Sequence, residues 1–163
     1  MDAIPEGRPT EMFAAFAYID TVSQPTIDDM KLMVLLEAAG KTMYEDFADG
    51  IEQADLKALL IECGREEYLH AERMSRAIEL LTGAGYPVPA DAENPYMVGW
   101  VKPRLTRELA DSLAKAEAGG ERLYGDWASH CAHDQVTSMF TQSGREETDH
   151  ARRLEKIRDL LPD

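Results

Sequence analysis

Gly64-Arg65-Glu66-Glu67-Tyr68-Leu69-His70-Ala71-Glu72-Arg73-Met74 returns 80 residues later, without a gap, as Gly144-Arg145-Glu146-Glu147-Thr148-Asp149-His150-Ala151-Arg152-Arg153-Leu154. The glycine, both glutamates, the histidine, the alanine and two arginines are identical. The same offset lays Glu37-Ala38-Ala39-Gly40-Lys41-Thr42-Met43-Tyr44-Glu45-Asp46-Phe47-Ala48 on Glu117-Ala118-Gly119-Gly120-Glu121-Arg122-Leu123-Tyr124-Gly125-Asp126-Trp127-Ala128, where Glu, Ala, Gly, Tyr, Asp and Ala are kept. Two windows in one register mark an internal duplication. A duplicated helical hairpin packs naturally about a pseudo-twofold axis, so equivalent residues of the two halves are expected to face one another at the centre.

Around these windows lie two proline-free blocks, roughly 26–82 and 104–161, in which strong helix formers dominate and apolar residues recur at three and four. Each block is too long for one ordinary helix and breaks near its middle, at Asp49-Gly50 and between Ser129 and Asp134. Four long helices follow, near 26–49, 51–82, 104–130 and 133–161. The stretch from Gly83 to Pro103, rich in proline and glycine, cannot continue a helix and reads as a crossover along the bundle. Residues 1–25 form an arm and 26–163 an all-α four-helix bundle. Within the arm, Pro9 to Val22 carries Met12, Phe13, Phe16 and Ile19, which predicts a short amphipathic helix packed either on the bundle or on a second subunit.

The helical period also says what points inward. In the last helix Val136, Phe140, Ser143, Glu147, His150, Leu154, Ile157 and Leu161 share one stripe, and Leu60, Cys63, Glu67, His70, Met74, Ala77 and Leu81 repeat it in the second. Met30, Met33, Glu37, Tyr44 and Phe47 share a face of the first helix, and Ala110, Leu113, Glu117, Tyr124 and Trp127 are their equivalents in the third. Four carboxylates and two imidazoles therefore enter an apolar interior. Uncompensated, they would cost many kcal/mol or take up protons, because desolvation and mutual repulsion both raise carboxylate pKa values. Two divalent ions at +4 balance four carboxylates at −4. An oxygen-rich, sulfur-free donor set suits iron or manganese better than structural zinc.

The rest of the composition agrees. Lys+Arg 17 against Asp+Glu 31 gives a net charge of −14, which disfavours nucleic acid and anionic membrane and favours cations. Two cysteines, Cys63 and Cys131, form neither a disulfide framework nor a four-cysteine metal site. The first residues lack a basic and apolar leader, and no stretch is apolar enough to span a bilayer, so a cytoplasmic protein is expected.

Glu37, Glu67-Tyr68-Leu69-His70, Glu117 and Glu147-Thr148-Asp149-His150 resemble the ligand pattern of ferritin-like di-iron carboxylate bundles, and within them the rubrerythrin group, over about residues 26–161. The resemblance implies two iron ions, with manganese as the other candidate. They would be held by Glu37, Glu67, His70, Glu117, Glu147 and His150, with Glu67 and Glu147 bridging. It also implies that Tyr44 and Tyr124 hydrogen-bond a ligand carboxylate from the facing half, and that the chain is a homodimer. Typical members carry a four-cysteine iron module that two cysteines cannot supply, so electrons are expected from a separate donor protein. Typical members also place an additional glutamate three residues after the third-helix ligand, where Gly120 stands here, so the ligand exchange tied to that carboxylate is not implied.

The resemblance thus leads to an oxidoreductase that reduces hydrogen peroxide. Iron handling by oxidation of ferrous ions with dioxygen is the alternative, and oxygenation of an organic substrate ranks third. Gly40 and Gly120 are expected to leave small open spaces beside the site. Glu66 and Glu146, each just before a ligand candidate, either reach the imidazole of the opposite half or lie on a solvated face. Asp46 and Asp126 read as surface or hairpin-end residues, His130 and His133, which flank Cys131, as plain surface residues with adventitious metal binding as the alternative, and the two cysteines as packed thiols.

Overall fold

The structure, a computed structural model, describes residues 4–161. Its helices are α1 (Met12–Ile19), α2 (Ile27–Asp49), α3 (Ala54–Thr82), α4 (Arg107–Ser129) and α5 (Asp134–Leu160), with one 3-10 turn at Pro95–Met97. No strand occurs among the described residues. Local chemistry sets the boundaries. Thr26 and Asp29 form a reciprocal capping box at the start of α2, and the Thr106 hydroxyl accepts the Leu109 N–H at the start of α4. Gly83, at φ +74°, closes α3 in the left-handed conformation that glycine adopts without a Cβ clash.

α2 packs along α3 and α4 along α5, and the two hairpins meet through α3 and α5. Close approach within each hairpin needs a glycine. A Cβ at Gly64 would lie 2.9 Å from the Lys41 carbonyl oxygen, and one at Gly144 would lie 3.1 Å from Tyr124 Cβ. Along every long helix the buried apolar residues fall into two groups with the glutamate or Glu/His pair between them. One cluster gathers Met30, Leu36, Met74, Trp127 and Phe140, and the other gathers Phe47, Leu60, Ala110, Leu154 and Ile157. Each fully buried large side chain contributes about 1.5–3 kcal/mol. Two apolar blocks thus hold a polar layer that could not support itself.

The arm packs on the bundle. Arg8 pairs with buried Asp29 at 2.8 Å, Tyr18 donates to the same carboxylate, and Trp127 Nε1 donates to the Val22 carbonyl at 2.6 Å. Its buried stripe is Met12, Ala15 and Ile19, whereas Phe13 and Phe16 face outward. The expected face was too wide, because a short helix on a surface buries only a narrow stripe. Leu81 also departs from expectation. It is exposed in the last turn of α3, while Met74, Ala77 and Ile78 are buried. The crossover is fastened to α2 by Asn94 Nδ2 on the Leu35 carbonyl at 2.8 Å, Trp100 Nε1 on Asp46 at 2.8 Å and Lys102 on Asp49 at 2.9 Å. Asp46 is therefore an anchor, whereas its repeat mate Asp126 pairs with its neighbour Arg122.

Candidate metal centre

Glu-x-x-His spacing sets Glu67 beside His70 on α3 and Glu147 beside His150 on α5, one turn apart on the inward faces. α2 and α4 add Glu37 and Glu117 from the facing side. The six side chains meet as two overlapping groups that could each hold a metal ion. One is Glu37, Glu67, His70 and Glu147; the other is Glu67, Glu117, Glu147 and His150. Within each group one ligand atom per residue lies within 4.8 Å of the others, and Glu67 and Glu147 belong to both. Glu147 straddles the pair, with Oε1 at 3.1 Å from His70 Nδ1 and Oε2 at 3.5 Å from His150 Nδ1. Glu67 Oε1 lies 3.0 Å from His150 Nδ1, while Glu37 and Glu117 each place an oxygen 3.5 Å from the nearer Nδ1.

This layer is nearly dry. Both imidazoles and three of the carboxylates are buried, and Glu117 retains the most solvent contact of the four. Burial, reinforced by repulsion from Glu147, raises the Glu117 carboxyl to about 8. Burial and then the charges of Glu37, Glu117 and Glu147 push Glu67 well above the carboxylate range. For Glu147 burial acts the same way but is outweighed by the hydrogen bond from Glu117 and the charge of His70, which hold it well below that range. Burial works against the charged form of both imidazoles, yet the surrounding carboxylates hold them far above the usual value. The layer thus gathers protons in place of positive side chains, which divalent cations can replace.

A second layer orients the first. His70 Nε2 lies 2.9 Å from Glu146, which Arg73 also grips with two N–H groups. His150 Nε2 lies 3.0 Å from Glu66, gripped in turn by Arg153. Glu66 and Glu146 are held at about 2, since the imidazole and guanidinium hydrogen bonds outweigh their burial. An ionised carboxylate only accepts, so each Nε2 carries a proton and Nδ1 is the side turned to the centre. Both Nδ1 atoms are buried without an aligned hydrogen bond, although a carboxylate oxygen lies within 3.1 Å of each. That fits a cation. Tyr44 donates to Glu117 and Tyr124 to Glu37, each across the two halves.

All the expected ligand candidates and both tyrosines therefore converge, and Glu66 and Glu146 take the imidazole-facing alternative. Arg73 and Arg153 were not anticipated as parts of the site. Their signal was present, since both recur at the repeat offset, three residues after a histidine. Gly40 and Gly120 correct an expectation, because the space beside them is filled. A Cβ at Gly40 would sit 3.0 Å from Glu67 Oε2, and one at Gly120 would sit 2.6 Å from Glu147 Cγ. Each mid-helix glycine costs about 0.5–1 kcal/mol relative to alanine. His130 and His133 belong to neither metal-capable group among the described residues. Cys63 is buried, its thiol pushed up to about 12 by desolvation, and Cys131 is half-buried. No helix among the described residues is long and apolar enough to cross a membrane. No family model matches the chain, and neither a curated protein nor a solved structure matches it.

Proposed function

We propose that this chain is a ferritin-like, rubrerythrin-like di-iron protein that reduces hydrogen peroxide with electrons from a separate donor protein. The observation that carries the reading is the pair of buried Nδ1 atoms without aligned hydrogen bonds beside four carboxylates, two of which, Glu67 and Glu147, belong to both metal-capable groups. Glu37, Glu67, His70 and Glu147 would hold one ion, and Glu67, Glu117, Glu147 and His150 the other. Two redox-active ions, when bound, supply the two electrons and the Lewis acidity that cleavage of a peroxide bond requires.

The protein's own contribution is orientation and exclusion. The hydroxyls of Tyr44 and Tyr124 donate to Glu117 and Glu37 and steady the terminal carboxylates. Glu66 and Glu146 keep the proton on Nε2, so Nδ1 stays directed at the centre. Apolar residues on either side of the layer exclude bulk water and leave the carboxylates to balance whatever charge is present.

An anaerobic ferrous titration of the metal-free protein, followed by rapid mixing with stoichiometric peroxide, tests this. Two ions per chain, oxidised far faster by peroxide than by dioxygen, are expected. Faster oxidation by dioxygen would replace peroxide reduction with iron handling, and fewer than two ions would remove the di-iron reading.

A further inference from the structure

Gly40 and Gly120 occupy the same place in the repeat, yet they meet their carboxylates differently. The Cβ position at Gly120 lies 2.6 Å from Cγ, 2.9 Å from Cβ and 3.1 Å from Cδ of Glu147. Those atoms are the stem, fixed close to the α5 backbone, so an added methyl group could be accommodated only by moving a helix. At Gly40 the nearest atom is Glu67 Oε2 at 3.0 Å, the far end of the side chain, and Cγ and Cδ stand at 3.2 and 3.3 Å. A shift of a few tenths of an ångström in that side chain makes room. The two carboxylates also differ in reach: Glu147 places one oxygen at each imidazole, whereas Glu67 Oε1 approaches His150 and Oε2 rests against Gly40.

We infer that Gly120 is a positioning residue that seats Glu147 as the fixed carboxylate shared by both metal positions, while the looser contact at Gly40 leaves Glu67 without an equivalent backbone seat. This rests on the metal-centre reading and adds to it an ordered division of labour between two residues that the repeat makes equivalent. Mid-helix glycine is costly in general, and its persistence at both places is explained by the stems and ends it accommodates. Gly125, on the same helix, meets nothing within 4 Å and serves as the control.

The test has a metal-free arm and a metal arm. In the metal-free protein, Gly125→Ala should raise the thermal midpoint, Gly40→Ala should leave it level or raise it, and Gly120→Ala should lower it. If the stem contact is the cause, Gly120→Ala introduced into a Glu147→Gly background should raise the midpoint instead. This sign reversal can be read even where the single variant is poorly folded. In anaerobic cobalt(II) titrations followed by visible absorption, wild type, Gly125→Ala and Gly40→Ala should each bind two ions. Gly120→Ala should lose at least tenfold in affinity at both positions. Equal behaviour of Gly40→Ala and Gly120→Ala, or no sign reversal, overturns the inference while the metal centre stands. Failure of wild type to bind cobalt(II) overturns the metal centre and the inference with it.

Discussion

The two hairpins carry the same inner face and different outer ones. Inside, Glu37 matches Glu117, Tyr44 matches Tyr124, and Glu66, Glu67, His70 and Arg73 match Glu146, Glu147, His150 and Arg153. Outside, Leu32, Leu35 and Leu36 of α2 are fully buried, whereas their equivalents on α4 are Ser112, Lys115 and Ala116, all exposed. The cause is visible in the chain path. Asn94 binds the Leu35 carbonyl, Trp100 and Lys102 fasten the crossover to Asp46 and Asp49, and the arm closes on Asp29. α2 is therefore wrapped nearly all round, and α4 is an ordinary amphipathic surface helix. After a duplication, the inner residues stay matched where both halves face one site, and the outer residues diverge with whatever covers them.

The sharpest way to break the inner equivalence is to remove a carboxylate. Glu147→Ala and Glu67→Ala each delete a group common to both metal-capable clusters, and both variants should retain no ion after dialysis. Glu37→Ala and Glu117→Ala should each retain one. Elemental analysis of the dialysed proteins decides this, and two ions on either shared-residue variant would refute the arrangement.

The outer difference predicts a stability contrast. Leu36→Ala, at a fully buried position, should cost about 2–5 kcal/mol through lost burial and the cavity left behind. Ala116→Leu, on the uncovered helix, should change stability by no more than about 0.5 kcal/mol. Urea unfolding of the metal-free variants measures both. A small loss at Leu36 would mean that the crossover and arm do not cover α2 tightly in solution.

Much of the fold and of the candidate site was legible in the sequence because duplication displays the same inner pattern twice. The four long helices, the crossover and the six converging residues follow from period and offset, whereas the tyrosine partners came only from the family resemblance. The outer layer was less legible. Periodicity marks which residues are apolar, not which segment covers them, so Phe13 and Phe16 were grouped with Met12 and Ile19 although only part of that set is buried. The glycines misled for a related reason. A missing side chain reads as a gap in sequence, but Glu147 already fills the space at Gly120. Arg73 and Arg153 went unnoticed because an arginine one turn beyond a histidine looks like solvated surface until a carboxylate arrives from the other half.

The second layer offers a finer comparison. Glu66→Ala and Glu146→Ala should each weaken metal binding by about 10–100-fold, the usual cost of losing the group that orients a metal-binding imidazole. The two factors should agree, since His150 and His70 have matching partners. The halves differ here at two places: Arg153 touches Cys63 Sγ at 3.9 Å where Arg73 touches Ser143 Oγ at 3.3 Å, and Gln142 donates to Glu146 at 2.9 Å where its repeat mate Glu62 pairs with Arg65. Unequal losses in competition titrations would assign these differences a role in affinity.

The smallest expected effect is on acid stability. Glu66 and Glu146 are held at about 2, below the ordinary glutamate value of 4.5. A carboxyl whose folded pKa is depressed contributes stability that is fully present above its unfolded pKa and is lost as pH falls through the folded one. The contribution of this pair should therefore be intact above about pH 5 and disappear towards pH 2. Glu66→Gln and Glu146→Gln remove the titrating group, so each variant should be less stable than wild type at neutral pH and should lose less on acidification. The two curves should converge near pH 2, with acid-unfolding midpoints differing by less than about one pH unit. Equal effects from the two variants would extend the inner equivalence to the charge of the second layer, and an effect confined to one would show that the halves, matched in residues, are not matched in electrostatics.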